Sequence, residues 1–228
     1  MTLQFDLNHA EPTTVDTDCI VLGVFADGTL SASGDAVDRA GNGRLRALIA
    51  RGDVSGKPGR RTLLHDIDGI KAPRVLLVGL GETAKFGVPQ YLRAIGDGVR
   101  ALKTGASKSA LCTLTELDVP GRNADWRVRQ AAITADHAAY RYTSNITRKP
   151  DAGLESLQLR AEETHRAALD AGTAIAAGVA FTRELGNLPP NICNPAYLAE
   201  RARQLASEHA NVTCEVLERA DMEQLGMG

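Results

Sequence analysis

The 228-residue chain carries 26 Lys and Arg against 28 Asp and Glu, for a net charge of −2, and is 43% hydrophobic and 24% charged. That composition can bury a core and excludes a disordered chain, and no apolar run approaches the roughly 20 residues that span a bilayer. The charge is uneven: residues 1–150 hold 20 basic against 16 acidic side chains (+4), and residues 151–228 hold 6 against 12 (−6). This points to a two-part chain and is too mild to define a nucleic-acid surface.

The opening MTLQFDLNHAEP has neither a basic n-region nor an apolar h-region, so no signal peptide is expected. Residues 19–25 form a continuous apolar run, as in a strand covered on both faces. Helical spacing over residues 35–51 is interrupted by Gly41-Asn42-Gly43. A Gly/Pro loop with basic residues spans 52–59, followed by a strand at 61–65. A second strand at 74–78 precedes a helix over 88–103. Residues 109–115 read as a strand and 123–140 as a helix with Val128, Ala131, Ala132, Ala135 and Ala139 on one face. Alternating β and α segments with buried strands imply a layered α/β domain ending near residue 150.

A polar linker follows, with a short strand expected at 154–159 and a long helix at 161–185. The inner stripe of that helix is small (Ala168, Gly172, Ile175, Ala176, Val179), which suits close helix packing. Gly186 fits a left-handed position after the helix, and Pro189-Pro190 prevents continuation. Residues 195–208 read as a helix with Asn194 as N-cap and Pro195 at its first position. Residues 211–217 alternate as a strand would.

The segment RVLLVGLGETA (74–84) matches the dinucleotide fingerprint G-x-G-x-x-G/A. That motif needs to open the first βαβ unit and run directly into a helix. Here it follows a later strand, and Gly87 and Pro89 predict a loop, so a buried strand ending in a glycine turn is the better reading. Asp97, at the right distance for a ribose contact, falls inside a helix. The five histidines lack metal spacing. Glu162 and His165 read as a surface pair. Asp16 with Asp18, and Asp66 with Asp68, read as solvated loop acids. Arg51, Lys57, Arg60 and Arg61 read as a solvated basic loop. The four scattered cysteines, Cys19, Cys112, Cys193 and Cys214, read as reduced thiols. No arrangement of these residues assembles an active site.

Residues 181–199, FTRELGNLPPNICNPAYLA, resemble the opening segment of the catalytic domain in the leucyl aminopeptidase (cytosol aminopeptidase, M17) family, R-[DE]-L-x-N-x-P-[PA]-N-x-x-T-P-x-x-L-A. Asn194 replaces the usual Thr, and either residue caps a helix before proline. Residues 52–59, GDVSGKPG, resemble the family's G-D-F-x-G-K-x-G loop, and residues 74–81, RVLLVGLG, resemble its R-v-l-l-V-G-L-G strand. Residues 225–228, LGMG, resemble the stretch just before its catalytic region.

The resemblance implies an α/β fold class. A macro-domain-like N-terminal α/β domain occupies residues 1–150, and residues 151–228 form a long linking helix and the opening segment of an α/β metallopeptidase domain. It implies a cytoplasmic, hexameric enzyme that removes N-terminal residues such as leucine from peptides with two divalent metal ions (Mn²⁺ or Zn²⁺). The family's metal-ligating motifs, G-K-G-x-x-F-D-[ST]-G-G and N-T-D-A-E-G-R, do not occur in this sequence. No catalytic, cofactor-binding or metal residue is therefore expected here. The expectation is an N-terminal portion, inactive alone, that binds no metal and serves assembly and substrate access. DNA binding by the basic N-terminal part, or an ADP-ribose-type ligand module by fold analogy, are the alternatives.

Overall fold

The computed structural model describes residues 3–144 and 153–227. Residues 1–141 with 148–181 form one compact unit, and residues 142–147 with 182–228 form another.

The first unit is built on a six-stranded sheet: β1 (Gln4–Leu7), β2 (Ile20–Phe25), β3 (Arg61–His65), β4 (Arg74–Gly81), β5 (Ser109–Cys112) and β6 (Ser156–Leu159). The spatial order is β1-β6-β5-β2-β4-β3. Every neighbouring pair is parallel except β3 with β4. Helices α1 (Ala32–Ala40) and α2 (Arg44–Ala50) precede β3. Helix α3 (Val88–Lys103) follows β4, and α4 (Ala124–Ala139) follows β5.

The central strands are apolar on both faces because helices cover both faces. Ile20, Leu22 and Val24 of β2 pack with Val37, Leu45 and Leu48 of α1 and α2. Val21 points the other way, joining Leu76 and Val78 of β4 and Tyr91, Ile95 and Val99 of α3. Tyr91 is fully buried and its hydroxyl donates to Arg127 O at 2.8 Å, which ties α3 to α4. Burial is the main cause that pushes that phenol well above its ordinary pKa.

Strand β4 extends to Gly81, three residues past the expected end. The strand expected over 109–115 stops at Cys112, and a 3-10 turn covers Leu114–Glu116. Strand β1 was not anticipated. Its four residues are held by parallel pairing to β6, a partner about 150 positions away that no local pattern reveals.

Helix α5 (Arg166–Asn187) begins later and ends later than expected. Leu169, Gly172 and Ala176 form its buried stripe, with Gly172 against Arg129 and Ala132 of α4. Ile175 and Val179 are exposed instead of inward. Gly186 lies within the last turn and does not adopt the left-handed conformation.

The second unit contains α6 (Pro195–Glu208) and α7 (Arg219–Gln224). Asn194 caps α6 as expected, its side chain accepting from Tyr197 N at 3.0 Å. Residues 211–217 do not form a strand. A strand needs a ladder partner, and none stands beside these residues among the described ones.

Candidate functional site

In open parallel sheets, ligands bind outside the carboxyl ends of the strands, where the winding reverses. Here the chain leaves β2 toward β3 and leaves β5 toward β6, so the reversal falls between β2 and β5.

On the β2–β4 side the strand ends are sealed by the 52–59 loop. Gly81 N–H donates to Gly56 O at 2.8 Å and Gly79 N–H to Arg60 O at 2.9 Å. The approach is too close for any side chain. A Cβ at Gly56 would stand 2.0 Å from Phe25 O, and one at Gly79 would stand 2.1 Å from Lys57 O. The two glycines of the fingerprint therefore serve backbone contact between loop and sheet. A 3-10 turn over Thr83–Lys85 separates Gly81 from α3, so no helix N-terminus faces the glycines as a phosphate site requires. Asp97 sits inside α3, salt-bridged to Arg93 and Arg100.

On the β5 side the protein supplies its own anion. The Glu116 carboxylate accepts from Ser33 N at 2.9 Å and from Ser33 Oγ at 2.6 Å, at the first turn of α1. Arg160 Nε lies 3.3 Å from the same carboxylate. A helix N-terminus that could receive a phosphate is thus occupied by an internal carboxylate. This arrangement counts against an ADP-ribose-type ligand at these strand ends.

Beyond Glu116 lies a small polar pocket of about 230 Å³, at the ends of β1, β6 and β5. His9, Glu116, Arg127, Arg160, Glu162 and His165 line it. Its cations are engaged internally. Arg160 reaches the carbonyl of Ala10 as well as Glu116, and Arg127 Nε donates to Thr115 O at 3.0 Å. His165 Nδ1 lies 2.7 Å from Asp125 Oδ1, so the histidine pairs with α4 rather than with Glu162, the partner its spacing suggested. The pocket holds no nucleophile aligned with a base.

The remaining candidates have structural roles. Asp18 accepts from Lys108 N at 2.8 Å and Ser109 N at 3.0 Å, fastening β2 to β5. The Ser109 amide is the main cause holding that carboxyl below the usual carboxylate range. Asp16 pairs with Lys71 at 3.1 Å. Cys19 and Cys112 are buried free thiols, both pushed up to about 12 by burial, which leaves them unreactive. Arg51 pairs with Asp53 at 3.5 Å, whereas Lys57, Arg60 and Arg61 have no carboxylate partner among the described residues. Among the described residues, no group of three or more His, Cys, Asp or Glu side chains is placed to hold a metal ion.

Sequence reading missed Glu116 and Arg160. Glu116 follows the strand expected at 109–115, and its partners Ser33 and Arg160 are 83 and 44 positions away. No local spacing could have signalled the cluster.

Residues 21–149 match the N-terminal domain of the cytosol aminopeptidase family, and residues 180–228 match that family's catalytic domain. A probable cytosol aminopeptidase of Stenotrophomonas maltophilia (strain K279a) is 55% identical over 230 residues, covering all of this chain and 46% of that protein. One from Xylella fastidiosa (strain M12) is 53% identical over 232 residues, covering all of this chain and 47% of its own. The chain spans about half the length of the curated relatives it matches. Among solved structures, the bottromycin maturation enzyme BotP aligns over 92% of this chain and 41% of its own, with a TM-score of 0.72 and 27% identity. BotP has also been solved in complex with Mn, at a TM-score of 0.71 and 26% identity, over 92% of this chain and 40% of its own. A mutant of tomato leucine aminopeptidase aligns over 99% of this chain and 46% of its own, with a TM-score of 0.81; at 22% identity this is a likeness of fold.

Proposed function

The chain belongs to the cytosol aminopeptidase family, and from that premise we propose that the whole protein removes N-terminal residues, leucine among them, from peptides in the cytoplasm. The observation that carries the reading is the match to both family domains in order, with 55% identity to a probable cytosol aminopeptidase along the full chain.

Two divalent ions, Mn²⁺ or Zn²⁺, would supply an activated water for attack on the peptide bond. The donor set on these residues does not fit such a centre, so no step is assigned to them. We place catalysis in the remaining part of the family's chain and give this portion the work of assembly and substrate access. The described residues contain no helix long and apolar enough to cross a membrane. The division into residues 1–150 and 151–228 remains our proposal for the domain boundary.

The test has two parts. Full-length protein is expected to release leucine from a peptide substrate, to lose activity with a chelator, and to regain it with Mn²⁺ or Zn²⁺. The 228-residue chain is expected to show no turnover with either metal. Turnover by the 228-residue chain, or chelator-resistant turnover by the whole protein, contradicts the proposal.

A second reading, contact with DNA, is favoured by Lys57, Arg60 and Arg61, at and just before the start of β3, which have no carboxylate partner among the described residues. Retention on DNA that weakens steeply with salt would support it.

A further inference from the structure

We infer that the polar pocket at the ends of β1, β6 and β5 is a binding site for a free α-amino acid, held as a zwitterion with its carboxylate toward Arg127 and Arg160 and its ammonium toward Glu162.

The cations of the pocket are fixed before any ligand arrives. The side chains of Arg127, Arg160 and Glu116 are each less than a quarter exposed. Protein carbonyls hold both guanidinium groups. Arg127 Nε donates to Thr115 O at 3.0 Å and its Nη1 to Arg122 O at 3.3 Å, while Arg160 Nη1 donates to the carbonyl of Ala10. A guanidinium has five N–H donors. Among the described residues neither arginine has a partner on Nη2. Each therefore keeps that nitrogen for a ligand without giving up a bond to the protein. Donors held in place in this way lose little freedom on binding.

The charges around the cavity ask for both signs in one ligand. Two arginines and two glutamates line it, so a molecule of zero net charge is the match. The glutamates are not equivalent. Glu116 is already satisfied by Ser33 N, Ser33 Oγ and Arg160. The Glu162 carboxylate is exposed and has no partner among the described residues, which leaves it to receive an ammonium group. The cations differ too. Arg160 is neutralised by Glu116, whereas the carboxylate paired with Arg127 is the exposed Asp118 at 3.7 Å, a weak counter-charge. Ala124, the first residue of α4, also lines the pocket, and the positive end of that helix favours an anion beside Arg127. A phosphate dianion would meet the same donors but would face two carboxylates. Val128 and Ala161 join Ala124 as the apolar part of the wall, which suits an aliphatic side chain. At about 230 Å³ the cavity is smaller than the roughly 300 Å³ at which drug-sized pockets begin. That size fits one amino acid rather than a nucleotide.

The experiment is isothermal titration calorimetry on the 228-residue chain with leucine as the probe. The family's metal-ligating motifs do not occur in this chain, so binding at a catalytic centre does not enter the titration. Leucine is expected to bind. Isocaproate, which is leucine without its amine, and isoamylamine, which is leucine without its carboxylate, are each expected to bind at least about tenfold more weakly. Glu162→Gln is expected to weaken leucine at least about tenfold and to leave isocaproate unchanged. Arg127→Lys is expected to weaken both. Circular dichroism checks that each variant is folded, and the exposed Glu162 keeps the test open if the Arg127 variant does not fold. No binding of leucine at millimolar concentration overturns the inference, as does leucine binding that survives Glu162→Gln. Inorganic phosphate bound more tightly than leucine overturns it in favour of a simple anion site. Turnover by the whole protein is measured separately, so none of these outcomes bears on the aminopeptidase reading.

Discussion

The two units of this chain are made of similar residues but packed in opposite ways. In the first, apolar side chains from both faces of the sheet are buried, with Ile20, Leu22, Leu111 and Leu159 fully enclosed. In the second, no described residue is buried, and Ile192, Leu198, Leu205, Val212 and Leu217 are exposed. Helix α6 is as well capped as any in the first unit, so local signals built both units equally. The difference is the presence of a sheet to pack against.

The largest effect is expected at the seam between loop and strand in the first unit. Gly79→Ala would drive a methyl into Lys57 O, at a site where only backbone can yield. A loss of about 3 kcal/mol is expected in denaturant unfolding. A loss below about 1 kcal/mol would mean that the 52–59 loop is loosely docked.

Paired truncations sharpen the contrast between units. Leu22→Ala, in a fully enclosed site, is expected to cost about 3 kcal/mol. Leu198→Ala, 44% exposed, is expected to change stability by less than about 0.5 kcal/mol. Equal costs would break the comparison.

The elements that were legible in sequence are those with a strong local signal. The strand at 61–65 and the helices at 88–103 and 195–208 were read with the bounds observed. Gly41-Asn42-Gly43 marked the break between α1 and α2, where Asn42 and Gly43 have positive φ. Long-range pairing was not legible. Strand β1 exists through β6, and the Glu116 cluster exists through Ser33 and Arg160. The alternation at 211–217 was a true strand pattern without a ladder to join. The family resemblance reached further than periodicity did, because it rests on residues such as Pro189-Pro190-Asn191 whose meaning lies outside local structure.

A smaller effect separates pairing within the sheet from the surface contacts of the second unit. Asp18→Asn is expected to cost about 1 kcal/mol at neutral pH through its weakened bonds to the Lys108 and Ser109 amides. The folded-state pKa of Asp18 is depressed, so its contribution is present above the unfolded value of about 3.9 and is lost as pH falls through the lower folded value. The gap between variant and parent should therefore close on acidification. A gap that is constant down to low pH would remove Asp18 as the fastener of β2 and β5.

The most direct test of the contrast is hydrogen exchange on the 228-residue chain, comparing α3 with α6. The amides of α3 are expected to exchange only through global unfolding of the first unit, and those of α6 at least about 100-fold faster through local opening. Equal protection of the two helices would contradict the account, since it would require a buried face on α6 that the second unit does not have.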